Sequence, residues 1–272
     1  MTRRAGGLLA MLGGAALVPG ARAQDAEPSA PIADNSFLIE EAFNQERGVV
    51  QHISVFVWNR QADSWAYTFT QEWPFTGQRS QLSYTLPLEG AGGSARVGDV
   101  ALNYRYQLAG TESRVAVAPR VSLVVPTGSA SAGIGSGGLG VQVNLPVSAE
   151  VASWLVTHWN AGVTMTPSAG NGAGARAMTT GYNLGASAIW RLKPSFNVML
   201  EVAWAHTEAV VGSGVTASER EVLVSPGVRW AHNLPGGLQI VPGLAVPIGV
   251  GPSRASDGVL VYLSFEHPFR RQ

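Results

Sequence analysis

The chain of 272 residues contains no cysteine, which excludes a disulfide framework, thiolate metal sites and a cysteine nucleophile. Charge is scarce: Asp, Glu, Lys and Arg make up 13% of the residues, about half of the ~25% of an ordinary soluble domain. The two signs balance at 18 each, so there is no basic excess with which to hold nucleic acid. Beyond the first two dozen residues there is also no long hydrophobic run. Apolar stretches such as 121–125 stop at Pro or Gly, far short of the ~20 residues a helix needs to cross a bilayer. What the chain has instead is 46% hydrophobic residues and 33 glycines. So much carbon with so little charge implies that much of the surface does not face water.

The first residues indicate the compartment. Arg3 and Arg4 precede an uncharged apolar run over 5–20, and Ala21-Arg22-Ala23 forms a small-x-small cleavage site. This is the pattern of a cleaved secretory signal peptide, residues 1–23, and it predicts export in a Gram-negative cell. An exported chain of this composition without a spanning helix is either a soluble β protein or a transmembrane β-barrel.

Periodicity separates the two. Over 98–108, Val100, Leu102, Tyr104, Tyr106 and Leu108 alternate with Asp99, Ala101, Asn103, Arg105 and Gln107, the period of two of a strand with one apolar and one polar face. Residues 65–75 and 139–147 repeat it. Twelve such runs follow one another, at about 48–58, 65–75, 80–88, 97–108, 115–126, 139–148, 154–165, 181–192, 195–205, 220–231, 238–248 and 258–269. Their length matches the ~9–11 residues of a tilted membrane-crossing strand rather than the ~5–6 of soluble strands. Connections alternate in length: 76–79 and 193–194 are tight, whereas 127–138, 166–180 and 206–219 are long and rich in small or polar residues. Short periplasmic turns and longer extracellular loops are the habit of outer-membrane barrels.

Aromatic side chains agree, with Trp73, Phe75, Tyr104, Tyr106, Trp190, Phe196, Trp230, Phe265 and Phe269 falling at one rim and Trp65, Tyr67, Tyr182 and Trp204 at the other. The expectation is an all-β protein, a single transmembrane antiparallel up-and-down β-barrel of about 12 strands over 47–269, with 270–272 a short tail. Prolines inside the runs (Pro119, Pro146, Pro226, Pro242) predict bulges or shortened ladders, because proline has no N–H to pair.

Several stretches resemble one family. SFLIEEAFNQERGVVQHI (36–53), QEWPFTGQRSQLSYTLPL (71–88), GDVALNYRYQL (98–108), APRVSLVVPTG (118–128), VQVNLPVS (141–148) and FEHPF (265–269) are similar to the outer-membrane β-barrel family labelled for the MetA pathway of phenol degradation. The resemblance spans nearly all of the mature chain. It implies an exported barrel in the cell outer membrane that moves small, often aromatic or hydrophobic, compounds, and it carries no catalytic residues. One departure is at the C-terminus, where His267 interrupts the alternation of Val259, Val261, Leu263 and Phe265, and Arg270-Arg271-Gln272 follow.

Ionisable residues on polar faces mark the lumen. Glu72, Asp99, Arg105, Arg120, His158, Glu201 and Arg229 are the lumen-lining candidates, with His52, Arg191 and Glu221 beside them. They form either a selectivity constriction or a salt-bridge network that partly plugs the pore. Residues 24–46 form a periplasmic N-terminal segment, in which 34–47 reads as a short amphipathic helix capped by Asp34 or Asn35. Its Phe37, Leu38, Ile39 and Phe43 act as a plug or gate, or else the segment is a linker docked on the rim.

A passive channel for small-molecule solutes is the expected function, with membrane lipid and the barrel-assembly machinery as partners and no cofactor. The alternatives are a structural or adhesive barrel that binds through its loops, and an outer-membrane lipid hydrolase. For the latter the sequence offers only His206 with Glu208, Ser213 and Ser218 nearby, no Gly-x-Ser-x-Gly and no motif among its five histidines. Gly-rich 133–140 lacks the Lys-Ser/Thr of a phosphate-binding loop.

Overall fold

The computed structural model describes residues 32, 36–91, 93–110, 113–254 and 256–269. The signal peptide, the capping residues Asp34 and Asn35 and the tail 270–272 lie outside them. Alternation drives the wall: most strands turn their apolar residues outward and their small or polar ones inward, and a closed ladder satisfies every backbone group that lipid cannot.

Twelve antiparallel strands form the wall. They are β1 (Val49–Asn59), β2 (Ser64–Gly77), β3 (Ser80–Ala91), β4 (Val100–Tyr106), β5 (Val115–Val117 with Arg120–Val125) and β6 (Gly140–Ala152). The second half comprises β7 (Leu155–Gly170), β8 (Arg176–Lys193), β9 (Phe196–Gly212), β10 (Val215–Trp230), β11 (Leu238–Ala245 with Ile248–Gly249) and β12 (Gly258–Pro268). Each strand pairs with the next, and β1 closes the barrel on β12 from Val49↔Pro268 to Asn59↔Gly258. The outward face is exposed carbon, as in Val141 (46%), Val143 (45%) and Leu145 (42%) along β6.

Three of the four prolines fall where the ladder is interrupted, whereas Pro242 pairs with Leu263 in an unbroken stretch of the β11–β12 ladder. Pro119 lies at the break in β5, and Pro146 on β6 faces it, between the pairs Val117↔Val147 and Arg120↔Asn144. Pro226 faces the break in β11 in the same way, between Val224↔Ile248 and Gly227↔Ala245. A residue without an N–H costs no hydrogen bond at a gap.

Two long loops expected from the sequence are paired strand. Residues 166–180 and 206–219 extend the β7–β8 and β9–β10 hairpins, so these strands reach 16, 18, 17 and 16 residues and rise beyond the span a membrane requires. Thr, Ser, Ala and Gly there carry no alternation of hydrophobicity, which is why the extensions read as loop; once the hairpin is nucleated below, its ladder continues regardless of side chain. The connection 126–139 is irregular, with a short 3-10 turn at Ala130–Ala132.

Candidate functional site: an arch of chain inside the barrel

Residues 36–45 lie inside the barrel. They form no helix, contrary to the amphipathic reading; bends and extended backbone replace it, because the polar wall supplies the hydrogen-bond partners a helix would otherwise supply for itself. Ile32 enters beside the β8–β9 turn, its N–H donating to the Pro194 carbonyl at 3.4 Å. The chain climbs past β8 and β9, where the Ser36 and Ser187 hydroxyls meet at 2.6 Å, and the Leu38 and Ile39 N–H groups donate to Glu201 Oε1 at 2.8 and 3.2 Å. It crosses to β7, where Glu40 N–H donates to Asn160 Oδ1 (2.9 Å) while Asn160 Nδ2 donates to the Glu40 carbonyl (2.8 Å). On the way down Ala42 N–H donates to Ser148 Oγ (2.7 Å), Asn44 Nδ2 to the Gln78 carbonyl (2.9 Å) and Gln45 N–H to Gln81 Oε1 (2.8 Å). The arch then leaves as β1.

Two arginines clamp it. Arg105, on β4, donates to Asn44 Oδ1 (2.8 Å), Glu40 Oε1 (3.2 Å) and the carbonyls of Glu41 (2.9 Å) and Phe43 (3.0 Å). It also pairs with Glu72 of β2 at 3.7 Å, and Gln81 Nε2 donates to that carboxylate at 2.7 Å. Arg120, on β5, donates through Nε to both Glu40 oxygens, at 2.9 and 3.1 Å, and its Nη atoms reach Asn103, Gln142 and Ser122. Glu40, which belongs to no strand, accepts also from Asn144 Nδ2 at 2.9 Å. Burial pushes its carboxyl up, but Arg120, Arg105 and the Asn144 amide outweigh burial and hold it below its ordinary value of 4.5.

Apolar side chains of the arch sit in notches of the wall. Phe37 covers Gly227 and Gly243, where a Cβ would come within 2.7 and 2.5 Å of its ring, and its ring centroid lies 5.0 Å from that of Tyr262. Ile39 occupies the space over Gly185. Around Phe37 the inward residues of β1, β11 and β12 are carbon as well: Ile53, Val55, Val57, Val241, Leu260 and Tyr262. A Gly243→Val substitution therefore drives Phe37 out of its notch. Overpacking of this kind costs about 1–3 kcal/mol, and faster proteolysis of the arch at unchanged barrel stability is the expected result.

The seven lumen-lining candidates do not share one environment. Arg105 (2% exposed), Glu72 (6%), Glu201 (0%), His158 (2%) and Arg229 (2%) point inward and are buried by the arch, and Arg120 joins them as above. His158 Nδ1 is bonded to Ser148 Oγ at 2.6 Å, and with Arg229, Glu41 and Phe43 it lines a small cavity near Val156. Asp99 is occupied elsewhere. Its carboxylate accepts from Gly128 N–H (2.9 Å), Ser136 N–H (2.6 Å) and Ser136 Oγ (2.6 Å), which folds the 126–139 connection down. Gly135, at φ +119, passes so close to that carboxylate that a side chain has no room. This is the role of the Gly-rich stretch. His52 faces outward rather than into the lumen, because the inward set on β1 is Gln51, Ile53, Val55 and Val57. Arg191 is paired with Glu150 at 3.0 Å.

Sequence reasoning missed Glu40 and the inner carbon stripe. The signal for the stripe is present in 49–57 and 259–263, where hydrophobicity runs on both faces instead of alternating. No local pattern marks Glu40, because its partners are 65 and 80 residues away.

Above the arch two cavities lead outward. One, of about 310 Å³, has the arch as its floor, Ile53, Val55 and Tyr262 on one side and Thr68, Thr70 and Thr85 on the other. The next, of about 500 Å³, lies at the opposite mouth from the termini, between β1–β3 and Ala132 and Ile134 of the folded connection. Of the serines considered with His206 for a hydrolase, Ser213 is at a hairpin tip, seven residues along, or ~23 Å at ~3.3 Å per residue, and Ser218 pairs in register with Glu208. Glu208 accepts from Thr180 N–H at 2.8 Å and Thr216 Oγ1 at 3.5 Å, while His206 lies against Trp204 and Tyr182.

No protein-family model matches the sequence, and no curated protein matches it. Solved structures do share the fold. The COG4313 outer membrane channel from Pseudomonas putida F1 is 12% identical, with a TM-score of 0.55 over 83% of this chain and 97% of that one. The NanC porin is 6% identical, with a TM-score of 0.54 over 80% and 98%. At such identities the likeness establishes architecture: the chain is a closed twelve-stranded antiparallel barrel of the kind found in outer-membrane channels.

Proposed function

We propose that this chain is an outer-membrane channel for passive passage of small solutes, held closed by its own N-terminal arch. The observation that carries the reading is the mode of closure. A barrel that served only as scaffold or adhesin has no need of a removable stopper, whereas here a segment outside the ladder fills the lumen through side-chain clamps and shape-matched notches. Two structural neighbours are described as a porin and an outer membrane channel, and the inner carbon stripe facing threonines suits solutes with an apolar body and a polar edge. This agrees with the aromatic or hydrophobic compounds that the family resemblance implies.

The test is liposome swelling and planar-bilayer current with the refolded chain and with a form lacking residues 36–45. Small aromatic solutes are expected to pass faster than sugars of similar size. The absence of both current and solute flux from both forms sinks the channel reading. For orientation, cysteines placed at Ser131 and Ser168 should label from outside intact cells and one at Lys193 should not; the opposite pattern inverts the barrel.

A further inference from the structure

The closing seam carries a feature the channel does not use. His52 on β1 and His267 on β12 both face outward, on neighbouring strands and diagonal in register, since His52 pairs with Phe265 and Val50 with His267. Their Nε2 atoms are 3.3 Å apart, and the ring centroids 5.4 Å apart with planes 20° from parallel, so the rings meet almost head on. The Nδ1 of His267 lies 3.3 Å from the Pro268 carbonyl. A carbonyl only accepts, so that nitrogen carries the proton and the Nε2 of His267 presents its lone pair. A carbonyl on the far ring nitrogen is also the usual support of a metal-bound histidine.

The surroundings admit water. His52 stacks on Phe69, with centroids 6.1 Å apart, and the outward aromatics Trp73, Phe265 and Phe269 sit at the same end of the barrel as the termini. Side chains of this type mark the wet border of a bilayer rather than its hydrocarbon. Gln71, opposite His52 in register, and Tyr84, whose hydroxyl donates to Gln71 Oε1 at 2.6 Å, make this a polar island on an otherwise apolar face. Among the described residues no group of three His, Cys, Asp or Glu side chains is gathered, so protein supplies two ligands and water the rest.

We infer that His52 and His267 form a two-imidazole seat for a borderline divalent transition-metal cation, Cu²⁺ or Zn²⁺, which pins β1 to β12 where the barrel closes. The ion takes the place of the proton the two rings share. Two nitrogens each about 2.0–2.1 Å from zinc at a tetrahedral angle are separated by roughly 3.3–3.4 Å, the spacing already present, and tilting both rings turns their lone pairs onto one ion. Imidazole pairs favour Cu²⁺ over Zn²⁺ and exclude Mg²⁺ and Ca²⁺, which take oxygen. This also accounts for His267 where the C-terminal alternation calls for carbon.

The experiment titrates Cu²⁺ into the refolded full-length barrel in detergent at pH 7.5, read by electron paramagnetic resonance, with Zn²⁺ added separately while the thermal midpoint is followed. One Cu²⁺ per chain with two nitrogen donors, and a midpoint raised by Zn²⁺, are expected. Both effects should vanish in His52→Gln and in His267→Gln and persist in His206→Gln. Absence of stoichiometric Cu²⁺ on the unaltered chain overturns the inference, as does its retention in both variants. Should either variant fail to refold, the unaltered chain decides: its Cu²⁺ spectrum must show splitting from two imidazole nitrogens, and a spectrum without it overturns the assignment.

Discussion

Removal of residues 36–45 is expected to raise single-channel conductance by at least about tenfold while leaving the barrel folded. The wall does not depend on the arch: every strand from β1 to β12 pairs with its neighbours, and the ladder closes through β1 and β12. The arch contributes what fills the space inside. Without it Arg105, Arg120, Glu72, Glu201, His158 and Arg229, now buried, become the lining of a water path. With Glu40 gone, the constriction around Arg105, Arg120 and Glu72 keeps two positive charges and one negative, so a mild anion preference should accompany the larger current. A refolded deletion form that conducts no better than the full chain shows that the arch is not the closure.

Replacing Arg105 by Ala should release the arch without unfolding the barrel. The side chain makes four hydrogen bonds to the arch and an ion pair with Glu72. Its loss leaves the buried Glu72 carboxylate without its cationic partner, with the Gln81 amide still donating to it, and Glu40 with one arginine instead of two. Breaking a buried pair from one side costs about 3–5 kcal/mol, and about 3 kcal/mol is roughly 150-fold in the ratio of closed to open arch. Open probability and protease sensitivity of residues 36–45 should both rise; unchanged values for both would show that the clamp is decorative. Arg105→Lys keeps the charge without the planar fork and should restore closure only in part.

Acidification acts on the same clamp. The Glu40 carboxyl is held below its ordinary 4.5 when docked, so its contribution is complete above that value and is lost as pH falls through the lower, docked one. Current should therefore rise on acidification below about 4.5, and Glu40→Gln should remove that part of the pH dependence.

The apolar alternation of 98–108, 65–75 and 139–147 made the wall legible, because lipid on one side and polar space on the other impose a local, period-two constraint that each strand must satisfy alone. The inward parity of Glu72, Arg105, Arg120, His158, Glu201 and Arg229 followed from the same rule. It failed for His52, since β1 carries carbon on its inner face and its outward residues are the less apolar. The hairpin extensions were hidden because ladders above the membrane need no alternation. The helix expected over 34–47 was wrong for a related reason: its apolar spacing is real, but Phe37 and Ile39 fit glycine notches at 227, 243 and 185, and its peptide groups fit side chains on β3, β6, β7 and β9.

By itself, then, the sequence determined a twelve-stranded wall, its inward and outward faces and its balanced charge, all consequences of short-range patterning against two solvents. Only the tertiary structure decided that the lumen is filled, that Glu40 is the residue the two arginines hold, that Asp99 fastens a loop, and that two histidines from opposite ends of the chain meet at the seam. Each of these depends on partners tens to hundreds of residues apart, which barrel closure alone brings within hydrogen-bonding distance.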